Sequence, residues 1–314
     1  SRCEGRPARR PRLAVLVVGQ RARYYPWWTL RHVVAPAARD GFEVDYFAML
    51  SLGSSASVGF SAFNAYWYRP VPNPTMTNRS VEGVVEYAVR HARHFGAARA
   101  TVLTLRSDFA IDDLPAGEHW RRRPLGASSV SSTTFLRDLH RLKQIELLWN
   151  WTLGTMPAST YDQVLLVRDD AYWADDVRMR LFFDPRAVYS RQFGHLCQRS
   201  PAEGPDDKVL VLGGEIAGDM LALYTAYYHN PSPVLDDMDS LEHFFYLVAQ
   251  VKGIRWELVR KDWLPYFTIQ HMQQPHWNEP VMCLRGITRL ELLHPSDVCV
   301  HPSTISFPFC EDFP

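Results

Sequence analysis

No charge of one sign dominates this chain: 34 Lys and Arg stand against 34 Asp and Glu in 314 residues, a formal net charge of zero. A dominant nucleic-acid role needs a basic surplus, so the balance argues against one. No apolar run reaches the about 18 residues that a membrane-spanning helix requires. Cysteine is sparse. Cys3, Cys197, Cys283, Cys299 and Cys310 include no Cys-x-x-Cys pair, which disfavours zinc. Three of them fall late in the chain, which allows one or two disulfides in an oxidising compartment, and the odd count leaves a thiol unpaired or linked outside the chain. No Gly-x-Gly-x-x-Gly follows the first apolar run, and neither a P-loop nor a Gly-x-Ser-x-Gly elbow is present. A nicotinamide enzyme, a P-loop ATPase and a standard serine hydrolase are therefore disfavoured. No internal repeat is visible.

What is present is enough apolar material for a core: 46% hydrophobic and 13% aromatic residues, a composition unlike that of a disordered chain. The Arg- and Pro-rich residues 1–12 read as a poorly ordered linker, and the Arg121-Arg122-Arg123 cluster reads as a solvated loop. Residues 13–314 are expected to form one domain with a less regular carboxyl third. Leu13 to Val18 is a buried strand ending in Gly19. Pro26 opens a helix with Leu30, Val33, Val34 and Ala37 on its apolar face, which Pro36 should kink or shorten. Glu43 to Phe47 is a second strand. Ser80 caps a helix that Gly96 ends, and Thr101 to Leu105 is a third strand. A helix carrying Phe135, Leu139, Leu142, Ile145 and Trp149 precedes the strand Val164 to Val167. Further strands at Ala187–Tyr189 and Val209–Leu212 alternate with helices near 220–228 and 241–251. The alternation predicts an α/β fold with a mixed, mostly parallel sheet flanked by helices.

The chemistry concentrates where Val164 to Val167 stops, at Arg168-Asp169-Asp170. In open α/β sheets, ligands bind outside the carboxyl ends of the strands. Two adjacent carboxylates there are costly unless a cation or solvent relieves them. A Mg2+ or Mn2+ ion carrying a nucleotide diphosphate would do so. The polar Gly19-Gln20-Arg21 ends the first strand in a comparable place. Lys143, on the helix before the central strand, is a candidate phosphate contact. Gly213 and Gly214 end another strand and would let a ligand approach bare backbone, while Trp173 is a candidate platform for a sugar ring.

Over roughly residues 12 to 250 this order of elements resembles the glycosyltransferases of the GT-A fold. The resemblance implies transfer of a sugar from a nucleotide-diphosphate donor to a hydroxyl of a glycan, protein or small molecule. It implies donor contacts from Gly19, Gln20, Arg21, Lys143, Arg168 and Asp169, and a Mn2+ or Mg2+ ion bound by Asp170 with His294 or His301. It places a catalytic base, Asp239 or Glu242, at a helix start, and Gly213, Gly214 and Trp173 near the acceptor. Arg168-Asp169-Asp170 departs from the Asp-x-Asp spacing of that family, some members of which dispense with metal. The sequons at Asn78 and Asn150 and the late cysteines suit the secretory pathway, with the Golgi lumen expected and room for a membrane anchor upstream of Ser1. Two other readings stay open: a metal-dependent phosphohydrolase, and a noncatalytic protein that binds carbohydrate or a partner on the same fold.

Overall fold

The computed structural model describes residues 9–52, 67–70, 74–106, 132–155, 157, 160–191, 207–237, 241–260, 262–273, 281–285 and 299–300. Its strands are β1 (Arg12–Gln20), β2 (Glu43–Ser51), β3 (Trp67–Pro70), β4 (Ala97–Leu105), β5 (Gln163–Arg168) and β6 (Ala171–Trp173), then β7 (Ala187–Arg191), β8 (Val209–Gly213), β9 (Arg255–Val259), β10 (Tyr266–Gln273), β11 (Val281–Arg285) and β12 (Cys299–Val300). Its helices are α1 (Pro26–Thr29), α2 (Ala35–Arg39), α3 (Pro74–Thr77), α4 (Val81–His94), α5 (Ser132–Thr155), α6 (Ala217–Leu221), α7 (Leu223–His229) and α8 (Leu241–Val251). None of the described helices is long and apolar enough to cross a membrane.

Seven strands form the main sheet in the order β4-β2-β1-β5-β8-β7-β9. β4, β2, β1 and β5 run parallel, β8 runs antiparallel to β5 and β7, and β9 is parallel to β7. The sheet is thus mixed and mostly parallel, as expected. Continuous apolar runs mark β1 and β5 because helices cover both faces of the sheet. Leu13, Val15 and Val17 pack on one face with Leu30, Val33, Ala37 and Val84. Ala14, Leu16 and Val18 pack on the other with Leu142, Ile145, Met220 and Phe244. Successive side chains of a strand point to opposite faces, which divides the core in two.

Local signals hold where they carry a mechanism. The Ser80 hydroxyl accepts the Gly83 N–H at 3.0 Å and caps α4. Pro36 acts through the hydrogen bond it cannot make. α1 and α2 are joined by a single π turn over Leu30–Val34. Pro36 has no N–H to offer the carbonyl four residues back, and the His32 carbonyl instead accepts the Val177 N–H at 2.8 Å. Two differences stand out. β4 begins four residues before the expected Thr101, because as an edge strand it is only partly covered and its first residues, Ala97-Ala98-Arg99-Ala100, carry no β-branched or large apolar signal. The carboxyl third also contributes a second sheet, β12-β11-β10-β3, with β6 pairing to β10.

Candidate nucleotide site at the carboxyl ends of β1 and β5

β1 and β5 are parallel neighbours, with Val18 opposite Arg168. The chain leaves β1 for β2 on one side, while β5 lies on the other. Such a reversal of strand order opens a crevice at the carboxyl ends, the general ligand position in α/β sheets.

Asp169 knits this crevice together. Its N–H donates to the Val18 carbonyl at 3.0 Å, and its own carbonyl accepts the Tyr25 N–H at 2.9 Å. Oδ2 accepts the Gln20 N–H at 2.8 Å, and Oδ1 accepts from Arg23 Nη2 at 3.1 Å. The carboxylate fills the space where a side chain at position 19 would stand, so only glycine fits there. Asp170 faces a second guanidinium. Arg168 donates from Nε to Oδ1 at 3.0 Å and from Nη2 to Oδ2 at 2.7 Å, and Arg23 Nη1 lies 3.5 Å from Oδ2. Arg168 and Asp170 sit two residues apart, the spacing that puts strand side chains on one face.

β8 enters from the same end because it runs antiparallel. The Lys208 carbonyl accepts the Arg168 N–H at 3.1 Å, and buried Asp207 pairs with Arg141 of α5. One turn further along α5, Gln144 donates from Nε2 to the carbonyls of Gly19 at 2.9 Å and Met49 at 2.6 Å. It thereby ties together the ends of β1 and β2.

The environments of the carboxylates push their acidities apart. Burial pushes the Asp169 carboxyl above its ordinary value, and the Asp170 charge adds to this against Arg23. Burial acts on Asp170 in the same direction, but Arg168 and Arg23 outweigh it and hold that carboxyl below the usual range. Asp207 is likewise held low, with Arg141 and Lys208 overcoming burial. Opposite charges and desolvation compete in just this way at buried acids.

The donor set does not fit a divalent cation as it stands. Both carboxylates are almost fully buried, and each of their four oxygens already accepts from a guanidinium or a backbone N–H. Among the described residues no group of three His, Cys, Asp or Glu is placed to hold a metal. His294, His301 and Asp239 lie outside the described residues. Glu242 lies in the first turn of α8, of which the backbone alone is described there.

Four sequence-derived positions need correction. Gly213 pairs with Gln163 at the amino end of β5, roughly 17 Å from the crevice at about 3.3 Å per residue. The cause of the glycines there is packing: a Cβ at Gly213 would lie 2.2 Å from the Pro185 backbone, and one at Gly214 would lie 2.1 Å from the Tyr161 carbonyl. Trp173 is fully buried, with its Nε1 donating to Thr29 Oγ1 at 3.1 Å and its ring edge-on to Tyr266, so it cannot stack on a sugar. Lys143 turns its ammonium over the Tyr224 ring, 5.1 Å from the centroid, in the contact of α5 with α7. Arg21 donates to the Arg79 carbonyl at 3.2 Å beside the start of α4.

Sequence reasoning passed over Arg141, took Arg23 only as the end of the polar loop after the first strand, and gave Gln144 no role beside Lys143. Arg141 and Gln144 carry a recoverable signal, since they flank the apolar Leu142 and Ile145 one turn apart on the face turned to the sheet. A partly exposed aromatic pair also adjoins the site. Trp28 and Tyr172 lie 4.4 Å apart between ring centroids, and Tyr172 follows Asp170 by two residues.

No protein-family model matches the chain, and no curated protein matches its sequence. Among solved structures the chain is similar to mouse xyloside xylosyltransferase 1 in its apo form, at 12% identity and a TM-score of 0.39, over 80% of this chain and 86% of that one.

Proposed function

We propose that this chain is a glycosyltransferase that binds a nucleotide-diphosphate sugar at the carboxyl ends of β1 and β5 and passes the sugar to a hydroxyl acceptor. One observation carries the reading. Asp169 fastens the end of β1 to the end of β5 at the reversal of strand order, and in doing so it fixes Arg23 beside Arg168. The Arg23 and Arg168 side chains remain 17% and 19% exposed, so neither is sealed off from the crevice. Such groups match phosphate geometry. Held in advance by carboxylates, they would stabilise the charge that grows on a departing diphosphate without reorganising during the reaction.

In this reading Gly19 and Gln20 lie along the nucleotide, and Trp28 and Tyr172 offer the sugar an apolar ring face. The acceptor hydroxyl must lose its proton as the new bond forms. Asp239 or Glu242 is the proposed base for an outcome with inversion. Residence in the secretory pathway belongs to the same proposal and rests on the sequons and late cysteines.

The test is calorimetric titration with nucleoside diphosphates, followed by a donor screen for nucleotide release with and without acceptor alcohols. Saturable binding of one diphosphate, and acceptor-dependent release from its sugar conjugate, is the expected result. Indifference to every nucleotide would instead support a noncatalytic binding protein.

A further inference from the structure

We infer that this site holds its diphosphate with guanidinium groups in place of a resident divalent cation, so that donor binding is independent of metal. The inference rests on the reading of the crevice as a nucleotide site. It starts from the Arg168-Asp170 pair. Arg168 meets both oxygens of Asp170 in a bidentate contact, the strongest geometry available to a guanidinium and a carboxylate. For Asp170 to ligate a metal, it would have to release this partner. Asp169 would have to release the Gln20 N–H or Arg23, and with it the tie between β1 and β5.

Charge balance points the same way. Among the described residues, Arg23, Arg141, Arg168 and Lys208 gather here against Asp169, Asp170 and Asp207, four cations to three carboxylates. An arriving dication would be repelled by a cluster that already carries a positive excess. An arriving diphosphate would be drawn in. Arg23 also keeps one donor in hand: its Nε is buried and has no hydrogen-bond partner among the described residues. A buried donor left unmet is costly, and a phosphate oxygen is a suitable acceptor for it. The carboxylates thus take on a different task from metal ligation. They set the two guanidiniums at a fixed separation and orientation before the donor arrives.

Two measurements on the intact chain decide the matter. In the first, free Mn2+ is followed by electron paramagnetic resonance as protein is added without nucleotide. The wild type is expected to bind none. Stoichiometric Mn2+ binding by the wild type that Asp170→Asn abolishes would overturn the inference. In the second, uridine and guanosine diphosphates are titrated in excess chelator and again with Mn2+. The better ligand is expected to keep its affinity within about threefold between the two buffers, a difference under 1 kcal/mol. Binding seen in Mn2+ and lost in chelator would overturn the inference. Arg23→Gln, checked for folding by its melting transition, is expected to weaken the diphosphate at least about tenfold in both buffers, the scale of one charge-assisted contact. If neither diphosphate binds in either buffer, the glycosyltransferase reading falls, while the Mn2+ titration still judges the donor set.

Discussion

Gly19 and Asp169 compete for one volume: a Cβ built on Gly19 would lie 2.0 Å from Asp169 Cγ and 2.3 Å from its Oδ1. The φ of Gly19, 156°, adds a backbone demand to the steric one. Gly19→Ala must therefore push the carboxylate out of contact with the Gln20 N–H and Arg23. Overpacking of this kind costs about 1–3 kcal/mol. Urea unfolding should show that loss, and diphosphate affinity should fall with it. A variant that melts and binds like the wild type would show that Asp169 does not hold the crevice.

Asp207 supplies a pH dependence of known sign. Burial would raise its pKa, but Arg141 and Lys208 hold it below the ordinary value. The unfolded chain, with a carboxyl near about 3.9, then takes up the proton first as pH falls. Stability from this group is present above about pH 4 and is lost as the pH drops through the unfolded value toward the folded one. Asp207→Asn should accordingly be strongly destabilised at pH 7 and much closer to wild type at pH 3. A gap that stays constant across unfolding curves from pH 7 to pH 3 would refute the assignment.

Gly213→Ala and Gly214→Ala should separate stability from binding. Their new methyl groups meet the Pro185 backbone and the Tyr161 carbonyl at the far end of β5. A loss of about 1–3 kcal/mol is expected from such crowding. Diphosphate affinity of the folded fraction should not move. A specific binding defect without destabilisation would return these glycines to the ligand.

The tryptophans divide in the same manner. Trp173→Ala opens a cavity in the core and should cost about 3–5 kcal/mol. Trp28→Ala removes a partly exposed ring beside Tyr172 and should lower the melting point less than Trp173→Ala while raising KM for the sugar donor or acceptor. Equal melting points for the two variants would contradict the difference in burial.

The parts legible in the sequence were those with a local cause. β1 and β5 announce themselves because burial on both faces admits only apolar side chains, and Ser80 does so because its hydroxyl answers an orphan N–H three residues on. Lys143 and Gln144 were harder to tell apart. They differ by one step on a helix, about 100° of rotation, and the apolar stripe alone left open which of them meets the strand ends. Gly213 misleads because nothing in Val209–Leu212 tells the direction of the strand, and an antiparallel β8 puts its glycines at the wrong end of the sheet for a ligand. Trp173 is buried by a pairing with Tyr266 of β10, formed nearly a hundred residues later in a mixed polar and aromatic segment without a clear period. Arg23 could not be matched with Asp169 before the parallel pairing of β1 with β5 was known.

The missing hydrogen bond at Pro36 reaches beyond its own helix. By freeing the His32 carbonyl it provides a socket for the Val177 N–H, while the Tyr25 N–H, a short way up the same segment, plugs into the Asp169 carbonyl. The stretch from Asp169 to Val177 is therefore buttoned at both ends to the segment that follows β1. The amino and carboxyl halves of the chain are interlocked through main-chain atoms, which substitution of side chains cannot remove. These main-chain fastenings do not depend on the side chains that line the crevice, so variation there, away from Gly19 and Asp169, is free to retune what binds without undoing them.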